Sequence, residues 1–317
     1  MEDIGEITER NTVALVVLYY PEPETVIRLK GILRQLNSLL VIDNTPAADR
    51  VREVWEWGGS CEAVTCLDNT ENVGLGVAYN RGFAEAGRRG AKWVLLLDQD
   101  TDLTDGYLFT VTRRLESVGY RNSEGRRVGV VGVNFGNPAL RLLCAEESEA
   151  VVDVRTVISS GSLVSTAAWR SVSGFDEDLF IDYVDVDFCL RVKSAGYGVV
   201  FIGDVLMSHE MGHWGENSLF GVYRRVTANY SALRHYYITR NFVAIARKHG
   251  RSNVAWIIGE GIKQVKFVTL SLLMEGDRRQ LLRATTVGVV DGVRGVSGRR
   301  GAVERCQHCG RVGGRRH

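Results

Sequence analysis

Proline is scarce in this chain, with four residues in 317. That excludes a Pro-rich linker or polyproline scaffold. No apolar run reaches the ~18 uncharged residues that a membrane-spanning helix needs, so an ordinary transmembrane helix is not expected. Met1 to Arg10 carries four acids and no apolar stretch, which argues against a cleaved signal peptide. Six widely scattered cysteines do not make a disulfide framework and are expected to be reduced. These absences together point to a cytoplasmic protein. The thirty-five glycines show no Gly-X-Y period, so they suggest tight strand–helix turns rather than collagen.

What is present is a globular composition, 45% apolar and 24% charged, enough for a sizeable core and one large domain or two ordinary ones. The net charge of +1 hides an asymmetry. Residues 1–219 hold 20 basic and 33 acidic side chains, whereas residues 220–317 hold 19 and 5. An acidic front suits divalent cations, and a basic back suits an anionic surface.

The apolar patterning alternates strand and helix. Val13–Tyr20, Leu39–Asp43, Ala63–Leu67 and Trp93–Leu97 read as buried strands, with helical periodicity after Pro21, near Val51–Trp57 and through Ala78, Phe83 and Ala86. This predicts an α/β fold with a mostly parallel, doubly wound sheet. Val128–Phe135, Val151–Val164 and Gly198–Met207 read as further strands, and Tyr183–Ala195 as an acidic helix. From about Tyr223 to Leu282 the chain reads as basic and helical, and Gly288–His317 as a loose Gly/Arg-rich tail.

Ligands of parallel sheets bind at the carboxyl ends of the strands. Those ends carry Tyr19, Asp43, Asp68 and Asp98-Gln99-Asp100. Two carboxylates at i and i+2 of an extended chain share a side. A cation between them relieves their repulsion, and oxygen donors suit Mg²⁺ or Mn²⁺ held jointly with phosphates. The phosphatase pattern D-x-D-x-T/V fails at Asp102. Asp187 pairs at i,i+4 with Arg191 as a surface pair. Asp185 faces away from that pair, without a local partner, and is a candidate general base. His209-Glu210-Met211-Gly212-His213 matches the zinc-protease signature in letters, but it follows a strand and contains glycine. His209 alone remains a candidate metal contact. Cys306 and Cys309 make half a zinc site at most.

Seven ordered segments carry a resemblance: VVLYYPEPE, LLVIDNT, ENVGLGVAYNRG, WVLLLDQDT, ISSGSLVSTAAWRSVSGFDEDLFIDYVDVDFCLR, SHEMG and YYITRNFVAIARKHG. Across about residues 13–250 the chain resembles inverting family 2 glycosyltransferases of the GT-A fold, most of all the bacterial rhamnosyltransferases. The resemblance implies that Tyr19 and Asp43 meet the nucleoside, and that Asn72, Asn80 and Asp98 line the nucleotide-sugar pocket. Asp98, Asp100 and His209 would hold Mg²⁺ or Mn²⁺, and Asp185 would be the catalytic base. The family's usual Glu before that base is Val184 here.

The implied reaction is metal-assisted single displacement of a sugar, L-rhamnose from dTDP-rhamnose, onto a hydroxyl of a cell-surface glycan or lipid-linked acceptor. The expected domains are a GT-A catalytic domain over 1–220, a helical region over 221–285 and a loose tail over 286–317. The catalytic domain divides into a nucleotide-sugar half (about 11–102) and an acceptor half (about 125–220). Within the helical region, residues 253–274 place Glu260, Lys263, Gln264 and Ser271 on one narrow face at about 100° per residue. The wide apolar remainder suits a helix lying in the interface of an anionic membrane. The expected location is therefore peripheral, at the inner face of the plasma membrane. No nucleic-acid partner is expected, and a homo-oligomer is compatible with the sequence. Two rival readings are a non-catalytic membrane-associated module and a nucleotidyltransferase. The first leaves the strand-end acids unexplained, and the second lacks a Gly-rich basic loop after the first strand.

Overall fold

A computed structural model of the chain describes residues 4–137, 142–143, 147–209, 215–219, 223–227, 230–274 and 277–300. For residues 137, 142–143, 209, 215–219 and 223–227 it describes the backbone alone. The chain divides into two compact units, one of residues 1–176 and 184–210, the other of 177–183 and 211–317. The expected boundary near 220 thus falls about ten residues late, and a short internal strap belongs to the second unit.

The first unit contains β1 (Thr12–Leu18), α1 (Thr25–Leu33), β2 (Leu39–Asp43), α2 (Arg52–Ser60), β3 (Val64–Asp68), α3 (Leu75–Arg88) and β4 (Trp93–Asp98). It continues through β5 (Thr101–Leu103), α4 (Tyr107–Ser117), β6 (Val128–Asn137), β7 (Leu142–Leu143), β8 (Val151–Asp153) and β9 (Ser162–Ser165). It ends with α5 (Thr166–Ser171), α6 (Val184–Ser194) and β10 (Gly198–His209). One mixed sheet runs in the order β3-β2-β1-β4-β9-β6-β10-β5. Its β3-β2-β1-β4 half is parallel, because helices return the chain to the same edge each time. β1 is buried along its whole length, as a continuous TVALVVL run should be in a sheet covered on both faces.

The register aligns Asp43 with Leu18 and with Asp68, and Asp98 with Val17. Three of these four strands, β3, β2 and β4, therefore end in carboxylates on one edge, with β1 between β2 and β4. β9 runs antiparallel to β4, with Ser162 opposite Leu96. The segment entering β9 therefore reaches that same edge. The acidic N-terminal stretch is not idle, since Ile4 and Ile7 are buried and the indole of Trp93 donates to the Gly5 carbonyl. Cys61, Cys66 and Cys189 are unbridged. Burial first, then Asp43, pushes the Cys66 thiol up to about 11.

The second unit holds β11 (Gly215–Leu219), β12 (Tyr223–Thr227), α7 (Ala232–His249), α8 (Val254–Met274) and α9 (Arg278–Arg294). Helix from Tyr223 was the expectation, but Tyr223–Thr227 pairs antiparallel with Gly215–Leu219 and helix begins at Ala232. The tail expected to be loose from 286 is helical to Arg294. Its glycines are the reason. A Cβ on Gly288 would lie 2.6 Å from the Tyr236 carbonyl oxygen, and one on Gly292 2.7 Å from that of Arg240. These residues let α9 lie close against α7 rather than break the helix.

Alanine normally stabilises a helix over glycine by ~1 kcal/mol. Here Gly292→Ala is expected to do the opposite, lowering unfolding free energy by about 1–3 kcal/mol through overpacking. A denaturant titration in which Gly292→Ala is more stable than wild type would refute the close-packing account. Within the same unit His235 is 1% exposed and stacks on Phe267 with centroids 4.8 Å apart. Burial lowers its pKa from 6.5 to about 4. The unfolded chain therefore binds a proton that the folded one refuses as pH falls from about 6.5 to 4, and stability drops over that window by up to ~3 kcal/mol. The wild-type minus His235→Phe difference in Tm, followed across that range, should change with pH. A constant difference counts against this assignment.

Candidate active site

The rim is assembled from strand exits. Leaving β1, Tyr19 and Tyr20 stand about half exposed, ring edge to ring face, with centroids 4.7 Å apart. The Tyr19 N–H donates to Gln99 Oε1 at 2.9 Å, and Gln99 Nε2 donates back to the Tyr19 carbonyl at 3.3 Å. The Gln99 amide thus extends the β1–β4 ladder by one rung of side-chain bonds and fixes the turn between Asp98 and Asp100. Tyr20 has φ 48°, and its N–H donates to Thr45 Oγ1. Its hydroxyl donates to Asp49.

Two adjacent serines connect the rim to α6. The Asp98 N–H donates to Ser160 Oγ at 3.2 Å, and Ser160 Oγ and Thr101 Oγ1 lie 2.6 Å apart. One residue earlier, the Ser159 N–H donates to Asp185 Oδ2 at 3.2 Å. Asp185 Oδ1 accepts from the Val186 N–H at 2.8 Å, so both carboxylate oxygens have backbone donors. The Tyr79 hydroxyl reaches Ser159 Oγ at 3.1 Å. Burial raises the pKa of this phenol well above its usual value, and the charges of Asp98 and Asp185 both add to that rise. The two carboxylates therefore act on one buried hydroxyl and share one environment.

The structure treats the expected residues unequally. Asp100 does not continue an extended strand from Asp98, so the same-side argument for the pair does not apply. Gln99 and Asp100 form a turn, because the chain leaves β4 for β5, which pairs with β10. That pairing sets His209 opposite Thr101, next in sequence to Asp100. His213, Cys306 and Cys309 lie outside the described residues. His209 closes a strand, so the helical geometry that a zinc-protease pair requires is lacking there.

Asp43 is 1% exposed and accepts from the Thr45 N–H and the Trp55 indole, each at 2.8 Å. It shapes the floor beneath Thr45 and Tyr20. Asn72 accepts from the Gly74 N–H and from Asn44 Nδ2, holding the loop into α3. Asn80 donates to the Phe175 carbonyl and accepts from the Phe175 N–H and the Trp169 indole. Asp185 has local partners, contrary to expectation. The Asp187–Arg191 pair is a buried one at 2.6 Å, with Asp187 fully buried and Arg191 also donating to the carbonyls of Val172 and Gly174. α6 begins at Val184, which leaves Asp182 outside the acidic helix start.

Ser159, Ser160 and Gln99 were missed as working residues. The Gln between two acids and the Ser-Ser-Gly run before a strand were the available signals. Among the described residues no group of three His, Cys, Asp or Glu side chains stands ready for a metal ion. Asp98 and Asp100 alone are hard oxygen donors suited to Mg²⁺ or Mn²⁺ that keeps open positions for phosphate and water.

No family model matches the chain. It is 24% identical over 304 residues, 91% of this chain and 97% of the other, to the dTDP-rhamnosyl transferase RfbF of Shigella flexneri. The structure of S. aureus TarS 1-349 in complex with UDP-GlcNAc superposes with a TM-score of 0.59 at 14% identity, covering 89% of this chain and 81% of that one. That of GalNAc-T7 with UDP, GalNAc and Mn²⁺ does so at 0.51 and 11%, covering 75% and 47%. The fold is that of GT-A glycosyltransferases, and the resemblance drawn from the seven ordered segments stands.

Gln99 is half-buried at the rim, and its truncation costs its two bonds to Tyr19, about 1–2 kcal/mol of stability. Gln99→Ala removes both bonds to Tyr19 and frees the turn that carries Asp100. Sugar transfer is expected to fall about tenfold, equivalent to ~1.4 kcal/mol of barrier, with Tm lowered by only a few degrees. Full activity in this variant would mean that the turn holds without its amide bridge.

Proposed function

We propose that the chain is an inverting glycosyltransferase that moves L-rhamnose from dTDP-rhamnose to a hydroxyl of a cell-surface glycan or lipid-linked acceptor, at the inner face of the plasma membrane. One observation carries the reading. The Asp98 turn and the Asp185 carboxylate are tied to consecutive residues, Ser160 and Ser159. A diphosphate-side element and a base are thereby held at fixed separation. The similarity to a dTDP-rhamnosyl transferase along nearly the whole chain supports the choice of donor.

In this reading Tyr19 and Asn72 line the nucleotide side, with Asp43 and Asn80 acting through the backbone they hold. Asp98, Asp100 and His209 would hold a divalent cation, which supplies positive charge against the leaving diphosphate. Asp185 accepts the proton of the acceptor hydroxyl as the hydroxyl oxygen bonds to the anomeric carbon. The bond from that carbon to the diphosphate oxygen breaks with its electrons on the oxygen. Attack opposite the leaving group inverts the centre, and a single base suffices. The two backbone N–H groups on Asp185 orient it before the acceptor arrives, which is how position lowers a barrier.

Asp185→Asn keeps shape and removes the basic lone pair. kcat should fall by about 10²–10⁴-fold with dTDP-rhamnose affinity intact. Asp187→Asn should act differently, since it strands a buried guanidinium and costs stability, by about 3–5 kcal/mol. EDTA should abolish transfer and Mn²⁺ or Mg²⁺ restore it. An active Asp185→Asn enzyme, or turnover that ignores EDTA, would overturn the reading.

A further inference from the structure

α8 is built inside out with respect to its own unit. Three of its polar side chains, Glu260, Gln264 and Ser271, turn inward. Glu260 accepts from the Tyr183 hydroxyl at 3.0 Å, Gln264 Nε2 donates to the same hydroxyl at 2.6 Å, and Ser271 is buried. Five of its branched apolar side chains turn outward. Val254, Ile258, Ile262, Val265 and Leu273 are between 45% and 69% exposed. At about 100° per residue these five fall within a single arc of roughly a quarter turn, a stripe along the helix. Lys266 and Lys263 follow on one border of that stripe, both exposed, and Lys263 Nζ also reaches Glu260 Oε2 at 3.3 Å.

A stripe of this kind needs an occupant. No helix among the described residues is long and apolar enough to cross a membrane, so α8 does not span one. A second copy of the chain would bring together two strongly basic surfaces, because residues 220–317 carry 19 basic and 5 acidic side chains. That charge opposes self-pairing and attracts an anionic surface. Lys263 and Lys266 are long enough to keep their ammonium groups at headgroup level while their stems lie on the apolar side. Exposed Arg278, Arg279 and Arg283 follow α8 directly in the chain.

We infer that the outer stripe of α8 lies in the plane of a bilayer, seated among acyl chains, with Lys263 and Lys266 on anionic headgroups. The purpose of such docking, delivery of a lipid-linked acceptor to Asp185, rests on the transferase reading; the docking itself does not.

The test uses the full chain and two kinds of vesicle, phosphatidylcholine alone and phosphatidylcholine with a third phosphatidylglycerol, in low and high salt. Wild type should sediment with the anionic vesicles and be released by salt. The triple variant Ile258→Ser, Ile262→Ser, Val265→Ser changes exposed positions only and should bind about tenfold less. Lys263→Glu with Lys266→Glu should lose the preference for anionic vesicles. Thermal shift with dTDP-rhamnose and Mn²⁺ on the same samples reports the donor site separately. A missing donor shift with intact vesicle binding would sink the transferase reading and leave docking in place. Wild type that stays in the supernatant throughout overturns the docking. So does wild type that is oligomeric by light scattering while the triple variant is monomeric, since the stripe is then a subunit interface.

Discussion

Two hydrogen bonds at consecutive residues, the Asp98 N–H donating to Ser160 Oγ and the Ser159 N–H donating to Asp185, set what the rest of the site can do. Their origin is topological. β4 is parallel to β1 and ends at the rim, whereas β9 is antiparallel to β4 and starts there. With Ser162 opposite Leu96, the register continues to place Ser160 beside Asp98. A wholly parallel sheet would have carried the approach to the next strand to the far edge. The mixed order is thus a condition for joining a strand-end carboxylate to a helix-borne one.

The carboxylates at this rim stay apart in function because each has a different set of partners. Asp43 is enclosed by an indole and a backbone N–H, and Asp68 pairs with Arg50. Asp187 lies buried on Arg191. Asp185 accepts from two backbone N–H groups in the first turn of a helix, where a carboxylate also meets the positive end of the dipole. Ion pairing removes a lone pair from use, whereas backbone donors orient it. The Ser159 and Val186 N–H groups orient the Asp185 carboxylate, and the Arg191 guanidinium covers that of Asp187 two residues on.

Much of this was legible in the sequence where one residue type answers one local demand. Continuous apolar runs marked β1, β2 and β4 to within two residues, and an acidic pair after such a run marked the rim. Failures came where a distant segment decides. The burial of Asp187 depends on Arg191, whose guanidinium also donates to the distant carbonyls of Val172 and Gly174. The Asp98–Asp100 spacing suggested an extended pair, but the demand of β10 for a partner strand made it a turn. Gly288 and Gly292 looked like breakers until α7 was seen to lie against them. Asn80 carries a motif position, and its partners Trp169 and Phe175 lie about ninety residues away.

The strap 177–183 accounts for the odd face of α8. Phe180, Asp182 and Tyr183 all have φ near +60°, a region that costs a non-glycine residue about 1–3 kcal/mol. Such a conformation persists only if its surroundings over-determine it. Asn241 supplies one amide to three strap carbonyls, those of Leu179, Ile181 and Asp182, at 2.7 to 2.9 Å. Arg240 adds the carbonyls of Asp178 and Leu179, and Arg234 holds the Asp182 carboxylate. Burial raises the pKa of that carboxylate, and Arg234 opposes the rise. Tyr183 then brings a hydroxyl into the unit that must be satisfied, and only α8 offers Glu260 and Gln264 to it. With those side chains committed inward, helical periodicity sets Val254, Ile258, Ile262 and Val265 on the outer face of α8. The polar side of α8 thus answers Tyr183, one of three residues with positive φ in the strap that leads into the helix of Asp185.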